Sequence, residues 1–293
     1  MNLILTVLEI VAPVFLLAAI GFTWVKLGFD YRIEFVTRLA MTFALPCLIF
    51  TALVKTEIAP DALTTVSLAA CVAYALVTAG CFLLVKLAQM DVRTYLAPLI
   101  FGNTGNLGLP LALFAFGDEG LGFAIVIFAI MLIYAFTVGI WLVSGGSSLK
   151  KVVQEPLVGA TLLGALFMWQ DWGTPRFLTN TLELIGQMAI PLMLITLGVA
   201  VARLKPLSIS RAIWISLVKT ALCIAAAWVG GTWFALDPVP FAVLVLQVST
   251  PVAVTSYLLA MKYEADGEAV AGLVVVSTLL SVGYIPLTLA FLI

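Results

Sequence analysis

The sequence predicts an all-α integral membrane protein in which ten transmembrane helices form two inverted five-helix repeats. Three observations lead to this fold class: the composition, the spacing of apolar segments, and interrupted segments that recur in both halves. Of the 293 residues, 63% are hydrophobic and only 10% are charged, and the mean hydropathy is +1.21. A soluble domain carries about 25% charged residues, so the composition excludes that class.

The apolar segments have the length that a membrane demands. A helix needs about 20 apolar residues to cross a hydrocarbon core about 30 Å thick. We predict ten spans, the sixth of them short: 5–26, 35–54, 65–88, 94–116, 120–144, 156–170, 179–201, 212–235, 240–260 and 268–291. The connections between them are short and leave no room for a soluble domain.

The distribution of lysine and arginine predicts the orientation, because cytoplasmic loops carry an excess of these residues. Each loop takes the number of the span that it follows. Of the 14 basic residues, Lys219 lies within span eight, and Lys55 and Arg176 flank even loops. The other eleven flank odd loops: Lys26, Arg32, Arg38, Lys86, Arg93, Lys150, Lys151, Arg203, Lys205, Arg211 and Lys262. We therefore expect odd loops in the cytoplasm and both termini outside it.

The fourth span is interrupted at its centre by the polar and glycine-rich stretch 102–110, GNTGNLGLP. A broken helix frees backbone groups that find no water in hydrocarbon, so a break survives only within protein or beside a water-filled cavity. We therefore predict a binding site at this break. Its candidate residues are Asn103, Thr104, Gly105, Asn106, Gly108 and Pro110.

Two pairs of spans resemble each other across the halves. Ala44-Leu45-Pro46 in span two recurs as Ala189-Ile190-Pro191 in span seven, 145 residues later, and each is followed by threonine at the same distance. In span nine, Gln247 and Pro251 repeat the spacing of Asn106 and Pro110 at an offset of 141 residues. The second break therefore adds further candidates to the site: Gln247, Ser249, Thr250 and Pro251.

The recurrence predicts a secondary transporter. With five spans in each repeat, 1–146 and 147–293, the repeats have opposite orientations in the membrane. Corresponding interrupted spans in inverted repeats indicate a central transport site. If spans four and nine cross where they are broken, helix N-termini meet near the midplane, and their unpaired N–H groups and partial positive charge can hold a carboxylate.

Each polar candidate also has a structural interpretation. Asn103 and Thr104 would contact substrate, or they would satisfy the broken backbone, as short polar side chains readily do. Asn106 and Gln247 would bind substrate or water, or would join neighbouring helices by hydrogen bonds. The same alternatives hold for the hydroxyl groups of span nine.

The glycines and prolines of the breaks have simpler roles. Gly105 and Gly108 allow close approach of the backbone. Pro110 and Pro251 would set the crossing, because proline removes a helix hydrogen bond, or would only kink their helices.

Two residues outside the breaks are candidates for an inward vestibule. Lys219 lies eight residues after Arg211, about 12 Å deeper in a helix. It either snorkels to the cytoplasmic boundary, which is the favoured interpretation, or attracts anions in the vestibule. Tyr134 either lines the cavity or packs within the bundle.

Several function classes have little support in this sequence. It contains no histidine, and its four cysteines lie scattered within spans without metal-ligand spacing. We therefore expect no metal site, no cofactor and no intramembrane enzyme. Dispersed basic residues give no support to nucleic-acid binding. A receptor that binds a ligand without transport and a channel stay open as alternatives.

The motifs resemble those of the auxin efflux carrier (PIN-like) family of membrane transporters. FGNTGNLGLPL at 101–111 is similar to the family signature Asn-Thr-x-x-x-Gly-x-Pro-Leu, and TPVAVTSYLLAMKYEAD at 250–266 resembles its span-nine segment. The resemblance covers the whole chain. It implies a fold related to bile-acid/sodium symporters and NhaA, with a support domain of spans 1, 2, 6 and 7 and a transport domain of spans 3–5 and 8–10.

The resemblance also implies a function. Members export or exchange small organic anions, such as auxin, malate or malonate, across the plasma membrane, and they do so as homodimers. For the short type of this family, that membrane is the bacterial inner membrane. The short loop after span five and Gly102, where plant carriers have proline, indicate that short type. An organic anion gains about 2.3 kcal/mol per charge per 100 mV on leaving a negative-inside cell, so export needs no coupling ion. Na⁺ or H⁺ coupling stays the alternative.

Overall fold

The computed structural model describes residues 3–55, 58–139, 142, 156–170, 172–204 and 209–293. In these ranges the regular secondary structure is helical, apart from one isolated antiparallel bridge between Gly102 and Val252. The predicted all-helical class is therefore confirmed. The predicted boundary between the repeats, at 146 and 147, lies outside the described residues.

The described part of the chain contains thirteen α-helices and three π-helical turns. The α-helices are α1 Leu3–Lys26, α2 Ile33–Leu39, α3 Leu45–Lys55, α4 Pro60–Leu87, α5 Val92–Ile100, α6 Leu109–Tyr134, α7 Pro156–Trp169, α8 Arg176–Gly186, α9 Ala189–Arg203, α10 Ile209–Trp233, α11 Pro238–Ser249, α12 Val254–Lys262 and α13 Gly267–Leu292. The π-helical turns are Ala40–Ala44, Thr104–Gly108 and Ala135–Gly139.

Seven stretches of the described chain are long and apolar enough to cross a membrane: Ile4–Lys26, Ile33–Lys55, Asp61–Leu87, Thr104–Gly139, Arg176–Arg203, Ile209–Trp233 and Gly267–Leu292. Two further apolar helices, α7 and α11, are shorter. The stretch Thr104–Gly139 joins the second part of predicted span four to span five, and it bends at Gly117, where φ is +62°. A membrane protein with several spans is thus confirmed, whereas the count of ten and the inverted arrangement stay predictions.

Proline explains two of the π-helical turns. Proline has no N–H group, and its ring clashes with the carbonyl one turn earlier in an α-helix. A π-helical turn, with its wider spacing, ends two residues before Pro46 and again two residues before Pro110. Pro191 follows a different irregularity, the break at Gln187 and Met188 between α8 and α9. These prolines therefore interrupt predicted spans two, four and seven in predictable places.

Helices of the first, second, sixth and seventh predicted spans pack together. The helix α1 runs along α9, and α3 packs against α7 and α8. Glycine brings α1 and α9 close: a Cβ added at Gly21 would overlap the carbonyl of Ile195, and one added at Gly198 would overlap the carbonyl of Ala18. Any larger residue at these two positions would push the helices apart.

The other helices pack into a second group, which includes α10. This helix packs against α4, α11 and α13, and α11 packs in turn against α6. Between the two groups lies a buried cluster of aliphatic side chains, which come from α1, α6, α9, α11, α13 and the turn Thr104–Gly108: Val7, Ile10, Val11, Val14, Leu107, Leu111, Ile190, Leu194, Leu197, Leu246, Ile285 and Leu289. The two groups thus meet across an apolar surface, with the broken helices beside it.

Candidate functional site

The two predicted breaks meet inside the protein. The helix α5 ends at Ile100 and helical structure resumes at Thr104, while α11 ends at Ser249 and α12 begins at Val254. The extended residues between them pair as a short antiparallel ladder centred on Gly102 and Val252. The Asn103 N–H donates to the Pro251 carbonyl at 2.7 Å, and the Ala253 N–H donates to the Phe101 carbonyl at 3.4 Å. Each break thus satisfies backbone groups of the other.

The register of this pairing differs from the predicted correspondence between the halves. The bridge places Gly102 opposite Val252, an offset of 150 residues, whereas the motif comparison gave 141. Pro251 lies within its break, but Pro110 lies after its break, in the first turn of α6. The two prolines thus differ in position relative to their breaks, and their equivalence between the repeats stays a prediction. Pro251 belongs to an extended segment, whereas Pro110 follows a π-helical turn within a continuing helix, so proline alone does not fix the register.

Two helical segments begin at the crossing. The first N–H groups of a helix have no carbonyl one turn earlier to bond with, and this applies to the starts at Thr104 and Val254. The Asn103 carbonyl accepts hydrogen bonds from both Leu107 N and Gly108 N, each at 3.1 Å. The Asn103 side chain does not cap the turn. Partial positive charge from two helix starts is therefore directed into one small volume.

The polar side chains at the crossing are buried, and several have no partner. Asn103 is 4% exposed, and Thr104 and Gln247 are fully buried. Among the described residues, no hydrogen-bond partner exists for Asn103 Nδ2, Thr104 Oγ1 or either polar atom of the Gln247 amide. An unsatisfied buried polar group costs about 1–3 kcal/mol. Groups left in this state can be satisfied by a bound ligand or water.

Two glycines are required by the close approach of the broken segments. A Cβ added at Gly108 would overlap the Gln247 amide, and one added at Gly102 would overlap the Thr250 hydroxyl. Gly105 has more room: its Cβ would lie 3.1 Å from the Phe128 ring. Gly108 and Gly102 therefore both stand where a side chain would overlap the opposite broken segment.

A cavity of about 330 Å³ opens beside the crossing. Its polar lining near the crossing comes from Asn103 and Asn106 on one side and from Thr255 and Ser256 on the other. Its walls are mostly apolar and come from both groups of helices: Met41, Phe101, Phe128, Met131, Leu132, Leu157, Val254 and Leu259. At the other end the cavity reaches two exposed basic residues, Arg93 and Lys262.

Hydrogen bonds order the basic end of the cavity. The Arg93 Nη2 donates to the Tyr263 carbonyl at 2.5 Å. The Asp91 carboxylate caps α5 by accepting from Thr94 N at 2.8 Å and Thr94 Oγ1 at 2.6 Å. The hydrogen bond from the Thr94 hydroxyl holds the pKa of Asp91 below its usual range. The start of α5 is thereby attached to the connection after α12.

Lys219 lies on the other side of the crossing. Its side chain is fully buried in the middle of α10, and its ammonium donates a hydrogen bond to the Thr250 carbonyl. The favoured interpretation from sequence, a lysine that snorkels to the membrane boundary, is therefore wrong. A wall made of the paired segments separates Lys219 from the cavity, which it does not line.

Comparison with known proteins gives the family. The family model described as "Membrane transport protein" matches residues 6–145 and 140–289, which together cover nearly the whole chain. The chain belongs to the auxin efflux carrier family of membrane transport proteins. It is therefore a transporter and not an enzyme, as the sequence predicted.

Relatives of this transporter occur in archaea and bacteria. A protein of Methanothermobacter thermautotrophicus named "Uncharacterized transporter" is 28% identical over 296 residues, with 95% of this chain and 96% of the relative covered. An uncharacterized transporter of Methanocaldococcus jannaschii is 27% identical, with 62% of each chain covered. A Rhizobium meliloti protein named "Putative malonate transporter" is 27% identical, with 62% of this chain and 61% of the relative covered.

The predicted site residues of this transporter separate into two sets. Asn103, Gly105 and Asn106 line the cavity. The others lie near the crossing without lining the cavity: Thr104, Gly108, Pro110, Gln247, Ser249, Thr250 and Pro251. Tyr134 does not line it either, because its hydroxyl shares a hydrogen bond of 2.9 Å with Thr78 and its ring packs edge-on against Phe101. The packing interpretation of Tyr134 is the one that agrees with the structure.

Sequence reasoning missed some residues that line the cavity of this transporter. Thr255 and Ser256 belong to the first turn of α12, and Thr37 and Met41 come from predicted span two. The first pair could have been found, because these residues directly follow the span-nine break. No local signal marks Thr37 and Met41, since they reach the cavity only through the packing of distant helices.

Proposed function

We propose that this protein is a secondary transporter that carries small organic anions, mono- or dicarboxylates, across the plasma membrane. Transport is efflux by alternating access of the elevator type. One observation carries the proposal: the unpartnered amide nitrogen of Asn103 and two helix starts, at Thr104 and Val254, lie beside a cavity whose other end is basic. The family assignment supports transport, and this geometry supports an anion as the cargo.

The cavity suits an organic carboxylate in three respects. Helix starts and amide N–H groups donate to carboxylate oxygens. The apolar walls accommodate a hydrocarbon body. Arg93 and Lys262 raise the local concentration of anions at the entrance, and the described residues that line the cavity include no aspartate or glutamate. Malonate is a first substrate to test, because one relative carries that name.

The packing supports ten spans in two inverted repeats. If spans one and two correspond to six and seven, the contact of α1 with α9 corresponds to the contact of α7 with α3. Both contacts are extensive. Two hydrogen bonds match at the offset of 145 residues. Thr51 donates to the Cys47 carbonyl, and Thr196 donates to the Leu192 carbonyl. In this arrangement α7 and the α11–α12 pair are the sixth and ninth spans.

The apolar cluster supports an elevator motion. The support domain consists of spans 1, 2, 6 and 7, and the transport domain of spans 3–5 and 8–10, with the crossing in the latter. An aliphatic surface lets one domain slide past the other without breaking specific hydrogen bonds. Because Arg93 and Lys262 flank odd loops, the cavity opens to the cytoplasm and both termini lie outside. Two copies associate through the support domain as a homodimer in the bilayer.

The mechanism needs no co-transported ion for export. A carboxylate enters from the cytoplasm, binds at the crossing, and leaves outside after the transport domain has shifted. The membrane potential contributes about 2.3 kcal/mol per charge per 100 mV to this direction. A carrier of the same fold that couples to Na⁺ or H⁺ would differ in the ion dependence of its flux.

The test is uptake into proteoliposomes of radiolabelled malonate, malate and indole-3-acetate, with the membrane potential and the Na⁺ and proton gradients imposed separately. We expect saturable, potential-sensitive flux of at least one anion, and at least about a tenfold loss of kcat/KM in Asn103→Ala. Asn180→Ala, an exposed asparagine on α8, is the matched control and should transport normally.

The other outcomes of this test separate the alternatives. Binding of an anion without flux would make the protein a receptor, and flux that does not saturate would make it a channel. Flux that needs Na⁺ or a proton gradient and ignores the potential would replace the exporter with a coupled symporter.

A second test concerns the motion. Cysteines at Leu107 and Leu194, placed in a cysteine-free background, join the two groups of helices across the apolar cluster. Once the disulfide is verified by mass, flux should be lost while binding from one side persists. Flux that survives the verified cross-link would rule out the elevator motion.

A further inference from the structure

Lys219 is an isolated charge at the centre of the molecule. It is the one charged side chain among the buried residues of the described ranges. The aspartate and glutamate side chains described are exposed or partly exposed and none is buried. Burial of an ammonium group without a carboxylate is costly unless hydrogen bonds and nearby negative charge compensate. An ionisable residue inside a membrane protein is by default a candidate for function.

The compensation comes from the carbonyl end of α11. The last carbonyls of a helix carry partial negative charge, and those of α11 are turned toward the crossing. Hydroxyl groups satisfy three of them: Ser249 donates to Leu246 O at 3.2 Å, Thr250 donates to Gln247 O at 2.7 Å, and Tyr284 donates to Ser249 O at 2.9 Å. The ammonium of Lys219 satisfies the next carbonyl, that of Thr250.

The charge lies close to the cavity without entering it. The Thr250 carbonyl oxygen lies 3.0 Å from the position that a Cβ at Gly102 would take, and Gly102 lines the cavity. One carbonyl group and a glycine therefore separate the ammonium from the cavity. At this depth the field of a unit charge is poorly screened, so Lys219 favours an anion at the crossing through space.

We propose that the Lys219 ammonium is a resident cation of this transporter. It holds the carbonyl end of α11 and supplies there the positive charge that a co-transported Na⁺ or proton supplies in an ion-coupled carrier. This inference rests on the proposed transport of organic anions. Its consequence is specific: the anion binds without a coupling cation as long as position 219 carries a charge.

The test combines an ion dependence with variants of position 219. For wild type in proteoliposomes, replacement of Na⁺ by choline should change anion uptake by less than about twofold. Lys219→Met keeps length and removes charge, and we expect KM to rise at least about tenfold. Lys86→Met is the control, because Lys86 is an exposed lysine on α4, and its KM should stay at the wild-type value.

A chemical rescue separates charge from packing. Lys219→Ala leaves space beside the Thr250 carbonyl, and added methylammonium should restore most of the lost uptake, whereas the uncharged isostere ethane should not. Monodisperse elution and an unchanged melting temperature verify that each variant is folded. Lack of rescue in folded Lys219→Ala would overturn the resident-cation role.

The remaining outcomes distinguish this inference from the function on which it rests. A wild-type flux that strictly requires Na⁺ overturns the inference and leaves anion transport intact. So does Na⁺-independent flux with an unchanged KM in Lys219→Met. If wild type moves no anion under any gradient, both the proposed function and the inference fail.

Discussion

The two broken helices have similar backbones but different chemistry. At its break the first presents the amides of Asn103 and Asn106 to the cavity, whereas the second begins with Ala253 and Val254 and presents the hydroxyl groups of Thr255 and Ser256. The helix ends that precede the two breaks differ in the charge of the group that donates to them. The end of α11 is held by the Lys219 ammonium, while at the end of α5 the neutral Cys81 thiol donates to the Leu99 carbonyl at 3.8 Å. We therefore expect the first break to contribute mainly to recognition of the anion and the second to contribute the buried charge.

The largest expected effect comes from disturbing the close approach of the two paired segments at Gly102. Gly102→Ala places a Cβ against the Thr250 hydroxyl and carbonyl, which forces the paired segments apart. We expect transport to fall at least about a hundredfold, because small displacements at a binding site cost that much. The measurement is initial uptake in proteoliposomes.

Two controls accompany this variant. Gly159→Ala on α7 adds a Cβ in open space and should leave uptake unchanged. Val252→Ala alters the opposite segment without a steric clash, and it should cost about 2 kcal/mol of stability through a small void while transport falls far less than in Gly102→Ala. Equal losses from Gly102→Ala and Val252→Ala would contradict the asymmetry of the crossing.

The next largest effect is expected when a negative charge is introduced at Asn103, where the anion is proposed to bind. Asn103→Asp replaces an amide donor with a carboxylate that faces the bound anion across the cavity. Opposed like charges cost several kcal/mol, so we expect the apparent affinity for the anion to fall about thirtyfold or more. Titration of the anion against protein melting temperature gives the affinity, and Asn180→Asp on the exposed face of α8 is the matched charge control.

Gln247→Leu should separate stability from function. Both polar atoms of this fully buried amide have no partner among the described residues. Replacement by an apolar side chain of similar volume removes that penalty, so the free energy of unfolding should rise by about 1–3 kcal/mol. Anion transport should stay within about threefold of wild type, because Gln247 does not line the cavity; a loss of transport in the folded variant would instead give the amide a role in binding. A more stable protein with full activity would assign Gln247 to packing alone.

The smallest expected effect comes from the end of α5, where an uncharged thiol donates to a carbonyl. Cys81→Ala removes the weak thiol donor at the end of α5, and KM for the anion should change by less than about threefold. The same assay on Lys219→Met provides the comparison. If both variants raise KM equally, charge is not the property that distinguishes the two halves.

The sequence was sufficient to predict where the helices break. Gly102, Asn103 and their polar neighbours interrupt an otherwise apolar span, and hydrocarbon tolerates such a run only inside protein. The membrane class followed from composition in the same direct way. These properties are local, because they depend on a few consecutive residues.

The register and the direction of side chains were not predictable in this way. Pro110 and Pro251 share a motif spacing, yet one follows its break and the other lies within it. The position of Lys219 along its helix gives its depth in the membrane. The direction of its side chain toward Thr250, in contrast, depends on how α10 packs against α11. Such facts are set by tertiary contacts, and no pattern within one helix records them.

The ladder between the breaks has a consequence for biosynthesis. The Phe101 carbonyl and the Asn103 N–H find partners only in residues 251 and 253, about 150 positions later in the chain. At roughly 5–20 residues per second, a ribosome needs roughly 8 to 30 s to make that stretch. During this interval the first half sits in the membrane with unsatisfied backbone. We expect a truncated chain that ends before α11 to be degraded quickly, and co-expression of the missing half to prolong its lifetime.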